Sequence, residues 1–232
     1  MIFRQLFEKE SSTYTYLLAS RPGGEALIID PVKEQAEAYL QLIKELDLKL
    51  VIAVDTHTHA DHVTALGDLR SATACVTMMG DHTRAECVSA QFRDGETIGV
   101  DGVKLKALYT PGHTDESFSL VMADRVFTGD ALLIRGTGRT DFQNGDSYAA
   151  YDSLFNKLLK LPEDTRVYPA HDYKGWTVST IGEEKRHNPR LQVKNAAEYA
   201  ELMSKLKLPN PKMMDVAVPA NLRCGEPARQ GT

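Results

Sequence analysis

The sequence predicts a mixed α/β fold in which two β-sheets pack face to face with helices outside them. Three observations point there. Apolar spacings of two residues and of three to four alternate through both halves of the chain, so strands and helices are mixed rather than segregated. Leu50-Val51-Ile52-Ala53-Val54 is apolar throughout, as a strand covered on both faces must be. The chain has 232 residues, 42% hydrophobic and 25% charged, which suffices for a large core and gives no sign of disorder, repeat or low complexity. One domain over 1–232 is expected, with a C-terminal helical segment, about 176–232, packed on it.

In chain order, Thr13 to Ala19 and Ala26 to Ile29 flank the turn residues Pro22-Gly23-Gly24 and read as a hairpin, closed by Asp30-Pro31. From Lys33 to Lys49, Ala36, Leu40, Ile43 and Leu46 recur at helical spacing. The buried strand at 50–54 follows, then a helix from Asp61 to Leu69 and a strand near Cys75 to Met79. From Glu96 onward the period shortens to successive strands: Thr97 to Val100, Lys104 to Tyr109, Phe118 to Met122 and Val126 to Thr128. A helix over Tyr148 to Leu161, a strand at Arg166 to Tyr168 and a helix near Leu191 to Leu206 complete the order.

A net charge of −5, with no Lys/Arg run, argues against nucleic acid and membrane surfaces as partners. Cys75, Cys87 and Cys224 are odd in number and widely spaced, which fits neither a disulfide framework nor a CxxC site and suggests a reducing compartment. No signal-peptide or membrane-spanning run is evident, so a cytoplasmic protein is expected, bacterial by preference, with the mitochondrial matrix the alternative for a processed chain.

The chemistry concentrates in Thr56-His57-Thr58-His59-Ala60-Asp61-His62, directly after the buried strand. In an extended segment His57, His59 and Asp61 project to one side and His62 elsewhere, and two imidazoles with a carboxylate are the beginning of a metal site. Pro111-Gly112-His113, Gly129-Asp130 and Pro169-Ala170-His171-Asp172 each place a ligand-type residue after a predicted strand, beside a helix breaker. His82 and His187 read as solvated residues near helix ends.

These motifs, THTHADH, PGHT, TGD and PAHD, resemble those of the metallo-β-lactamase superfamily over most of the chain. The resemblance implies a four-layer αββα sandwich with the metal site at one edge of the sheets. The stretches 128–142, 168–175 (YPAHDYKG) and 218–225 (VPANLRCG) are similar to those of the persulfide dioxygenases. That likeness implies oxidation of glutathione persulfide by O₂ and water to glutathione and sulfite, in a homodimer. One departure is Asp115-Glu116 after PGHT, where much of the superfamily has Pro-Gly.

Two metal assignments follow from the resemblance. A single Fe(II) would be held by His57, His113 and Asp130, which would also be the catalytic residues, leaving coordination positions for substrate and O₂. His59, Asp61, His62, His171 and Asp172 would then orient the ligands. Alternatively, His57, His59, His113 and Asp130 would hold one zinc and Asp61, His62, Asp130 and His171 another, in a glyoxalase II-type thioester hydrolase. Glutathione carries two carboxylates, for which Arg139, Lys174 and Arg223 are candidate cations, with Tyr173 as a hydroxyl donor. Cys224, beside Arg223, reads as a small buried apolar residue, with persulfide carriage as the alternative.

Overall fold

The structure, a computed structural model, describes residues 1–211 and 213–226; the end of the expected C-terminal segment, 227–232, lies outside them. The chain divides into two compact units, one comprising 1–92, 97–104 and the described part of 210–232, the other 93–96 and 105–209.

In the first unit β1 (Ile2–Glu8), β2 (Thr13–Ala19) and β3 (Glu25–Ile29) form an antiparallel meander. Then β4 (Lys49–Val54), β5 (Val76–Gly80) and β6 (Ala90–Phe92) continue the sheet in parallel, in the order β1-β2-β3-β4-β5-β6. The expected hairpin and central strand are therefore present, and β1 and β6 are additional. Parallel strands need crossovers, supplied here by α1 (Ala36–Glu45) and α2 (Leu66–Thr73). Both bury their apolar faces with Leu17, Ile28, Leu50 and Ala53 in one core that includes Tyr39, Ile43, Leu66 and Leu69.

Two expectations are corrected in this unit. The helix expected from Asp61 begins at Leu66, because Thr64 is drawn into a bridge with Val32. Cys224, read as unpaired, forms a disulfide with Cys87 across 137 residues, leaving Cys75 as the buried free thiol among the described residues. Spacing along the chain cannot show such a pairing, since only the folded distance decides it. The cysteine count consequently gives no argument for a reducing compartment.

The second sheet has the order β12-β11-β10-β9-β8-β7, from β7 (Thr97–Val100), β8 (Val103–Tyr109), β9 (Phe118–Val121), β10 (Arg125–Phe127), β11 (Arg166–Tyr168) and β12 (Ser179–Thr180). β10 and β11 are parallel, joined through α3 (Ser147–Asp152). The expected helix over 148–161 is one helical stretch of three pitches, since α3 passes into a π turn (Ser153–Lys157) and a 3₁₀ turn (Leu158–Lys160). Leu154, Leu158 and Val167 share a core with Ile181 of α4 (Ile181–His187) and with Tyr199 and Met203 of α5 (Ala196–Ser204). A final helix, α6 (Met214–Asn221), belongs to the first unit.

Candidate metal centre

In the first unit, β4 ends at Val54 and the chain turns irregular, so the backbone of 55–65 meets other backbone only at places such as Asp55, Val63 and Ala65 and relies on side chains elsewhere. Asp30, one residue past β3, supplies much of this. Its Oδ1 accepts from the Thr56 amide at 2.7 Å and its Oδ2 from the Thr56 hydroxyl at 3.1 Å. The Thr56 hydroxyl has spent its proton on Asp30, so the 3.0 Å contact with His57 Nδ1 must be a bond donated by the ring. His57 thereby carries its proton on Nδ1 and its lone pair on Nε2.

The same logic assigns the neighbouring rings. His59 Nε2 lies 3.2 Å from Asp30 Oδ1, which can only accept, so Nε2 carries a proton. His62 Nδ1 is 2.9 Å from Asp61 Oδ2, which also accepts from the Thr13 hydroxyl at 3.2 Å, so Nε2 is the lone-pair nitrogen. The rings of His57 and His59 are 4.1 Å apart and those of His59 and His62 4.4 Å. Burial lowers the His59 pKa, but its bond to Asp30 and the charges of Asp30, Asp55 and Asp61 outweigh that and push it up to about 9. Ligand atoms of Asp30, Asp55 and His59 lie within 4.8 Å of one another. Carboxylates gathered about a buried imidazole make a field into which a cation is drawn.

In the second unit, three strand ends carry ligand-type residues. His113 follows β8 through Gly112, whose φ of 137° suits glycine and at which a Cβ would lie 2.3 Å from Ala150 Cα. His113 Nδ1 donates to the Arg139 carbonyl at 2.9 Å, which leaves Nε2 facing Asp130 Oδ2 at 3.6 Å. Two electron-pair donors facing each other at that distance suit a shared cation. Asp130 follows β10, and its other oxygen, Oδ1, accepts from His171 Nδ1 at 2.7 Å. His171 follows β11, with the Tyr173 ring nearly parallel to its own at 6.2 Å. Asp172 shapes the next turn, its Oδ2 accepting from the Lys174 and Trp176 amides.

Each expected ligand is therefore placed at a strand end, and each of the five histidines has one ring nitrogen tied to an oxygen. The expected substrate contacts differ among themselves. Tyr173, Lys174 and Arg223 are exposed. Arg139 is instead bound to the Pro209 carbonyl through Nη1 and to Asp141 through Nε and Nη2, and its hydrogen bonding to Asp141 holds that carboxyl below its usual range. Its backbone, meanwhile, orients His113. At the departure after PGHT, Glu116 is buried and accepts from the Thr114 hydroxyl.

Sequence reasoning passed over Asp30, Thr13, Asp55, Thr56 and Asn221 as functional residues. Asp30-Pro31 reads as a turn, and Asn221 lies inside the VPANLRCG stretch without a mark of its own. Asn221 Nδ2 donates to the carbonyls of His59 and His62, and its Oδ1 accepts from the Thr64 amide.

Residues 9–171 match the model of the metallo-beta-lactamase superfamily. The chain is 47% identical over 228 residues to the human mitochondrial persulfide dioxygenase ETHE1, covering 97% of this chain and 89% of that protein. It is similar to the crystal structure of ETHE1 from Myxococcus xanthus, with a TM-score of 0.95, 53% identity and coverage of 97% and 100% of the two chains. A metallo-beta-lactamase from Staphylococcus aureus has a TM-score of 0.88 at 25% identity, over 96% of this chain and 71% of that one. With its mixed α/β architecture of two sheets and helices and its set of metal-binding His and Asp residues, the chain belongs to the metallo-beta-lactamase superfamily and, within it, to the ETHE1 family of persulfide dioxygenases.

Proposed function

We propose that the protein is a persulfide dioxygenase that converts glutathione persulfide, O₂ and water to glutathione, sulfite and two protons. The 47% identity to human persulfide dioxygenase over 97% of the chain carries this reading. We assign one Fe(II) per chain to His57, His113 and Asp130. Iron(II), when bound, supplies the one-electron chemistry with O₂ that no side chain provides.

The residues prepare for it by fixing protons. With Nδ1–H of His57 committed to Thr56 and Nδ1–H of His113 to the Arg139 carbonyl, both imidazoles present Nε2 without a proton to displace. Asp130 adds a single negative charge, so two neutral imidazoles and one carboxylate leave a divalent cation with net positive charge to attract an anionic persulfide. Lys174 and Arg223 are the cations proposed for the glutathione carboxylates, with Tyr173 donating a hydroxyl, and they would hold the outer sulfur in place for reaction. Using Arg139 in that way would require a carboxylate to displace Asp141.

The choice of a single ion over the pair a hydrolase would use rests on the likeness to the persulfide dioxygenases. Reaction in the cytoplasm by a homodimer completes the proposal; no helix among the described residues is long and apolar enough to cross a membrane.

The test is O₂ uptake by anaerobically purified, iron-reconstituted protein given glutathione persulfide. Uptake matched by sulfite, with about one iron per chain, is the expected result. Two zincs per chain with cleavage of S-lactoylglutathione and no O₂ uptake would establish the hydrolase instead.

A further inference from the structure

We propose that Asn221 is a positioning residue for the metal centre, whose carboxamide fixes the direction of the histidine loop. The inference rests on the dioxygenase reading only in naming iron as the ion.

The loop 57–65 belongs to no helix or strand. Its backbone polar groups therefore need partners from elsewhere, and the side chain of Asn221 supplies three. Nδ2 donates to the His59 carbonyl at 2.8 Å and the His62 carbonyl at 2.9 Å, and Oδ1 accepts from the Thr64 amide at 2.8 Å. The side chain is buried, 4% exposed, so these bonds face no competition from water. A primary amide offers two donors and an acceptor together. Aspartate of the same shape would set an oxygen against two carbonyls, and leucine would leave all three groups without this partner.

A brace must itself be held, and the segment following Asn221 is secured to the same unit at four points. Cys224 is disulfide-bonded to Cys87. The Cys224 carbonyl accepts from the Gly67 amide at 2.9 Å, at the start of α2. Glu226 pairs with Arg70 at 2.6 Å. Gly225 has φ 75° and lies so close to Thr64 that a Cβ would be 2.1 Å from its carbonyl oxygen. The carbonyls of His59 and His62 are thus fixed from one side, while Asp30 and Asp61 fix the rings of the same residues from another. A ligand loop held at both backbone and ring cannot rotate to suit an ion; the ion must suit the loop.

The experiment compares wild type with Asn221→Asp and, as a milder change that keeps a donor and leaves room for water, Asn221→Ser. Three quantities are read on the full chain. These are Fe(II) affinity by chelator competition, the visible spectrum of the Co(II)-substituted protein, and the melting temperature of the metal-free protein. The expected result is a loss of about 10- to 100-fold in Fe(II) affinity for Asn221→Asp, with an altered Co(II) spectrum. A smaller loss in Asn221→Ser is expected, with metal-free protein that still melts cooperatively. Unchanged affinity and an unchanged Co(II) spectrum in the folded variants, with only a lowered melting temperature, would overturn the proposal and leave Asn221 as packing. The readouts need no persulfide. A wild type inert towards persulfide would remove the dioxygenase reading without touching this result, and an active wild type with metal-indifferent variants would do the reverse.

Discussion

A histidine is a useful metal ligand only when its proton is on the other nitrogen, and in this chain that decision is made by residues that touch no ligand position themselves. Thr56 is the clearest. Its hydroxyl donates to Asp30 and in consequence receives from His57, so a carboxylate just beyond β3 fixes a tautomer 27 residues later through one hydroxyl. Thr56→Val keeps the shape and removes the relay, and is expected to lower Fe(II) affinity or turnover about tenfold. Thr56→Ser should restore it. Metal content after desalting, together with kcat at saturating iron, checks this, and equal values for the valine and serine variants would contradict it. At this scale the candidate ligands were legible and their supports were not. HxHxDH, PGH, GD and PAHD are contiguous patterns, whereas Asp30 meets Thr56 across 26 residues and Asn221 meets His59 across 162, with no local pattern to announce either.

Secondary elements deliver the ligands by ending where they do, and the loops after them leave little room. Gly138 shows how little. Its amide donates to the Asp130 carbonyl at 2.7 Å, and a Cβ there would lie 2.3 Å from that oxygen and 2.8 Å from His113 Nδ1. Gly138→Ala must therefore push apart two of the proposed iron ligands. The expected effect is about 1–3 kcal/mol of destabilisation from overpacking, with iron content well below one per chain. Denaturant melts and metal analysis of the purified variant read the two effects, and a fully loaded variant would show that the loop has slack. The elements were mostly legible because their apolar spacing is local. The exception is instructive, since Val63, Leu66 and Leu69 have helical spacing from Asp61 onward, yet α2 starts only at Leu66. The Thr64 amide goes to Asn221 and Thr64 bridges to Val32, and tertiary partners of that kind override a periodic signal.

For the molecule as a whole, the Cys87–Cys224 disulfide closes a loop of 137 residues. By the chain-entropy account a cross-link of such span restricts the unfolded chain strongly, and its removal costs about 2–5 kcal/mol. Cys87→Ser is expected to lower the unfolding free energy by that amount and so to lower the denaturation midpoint, and wild type in excess dithiol should match it. A midpoint indifferent to reductant would show that the cross-link does not stabilise the chain. Here the sequence was least informative, since an odd cysteine count suggested free thiols and only the folded separation shows which two meet. The fold class and the presence of a His/Asp metal site followed from composition and motifs; the cross-link and the braces are long-range and did not.

The hold of Asn221 on the histidine loop also sets an order in time. His59 leaves the ribosome 162 residues before Asn221, an interval of about 8–30 s at ordinary elongation rates. Throughout that interval the loop has its histidines but not its brace. Any ion captured by the nascent chain would be held by a loop free to adapt to whichever metal arrived first, and selectivity would begin only when the C-terminal segment docks. Metal loading is on this view an event that follows the synthesis of Asn221, and a residue made later determines what the earlier ligands accept.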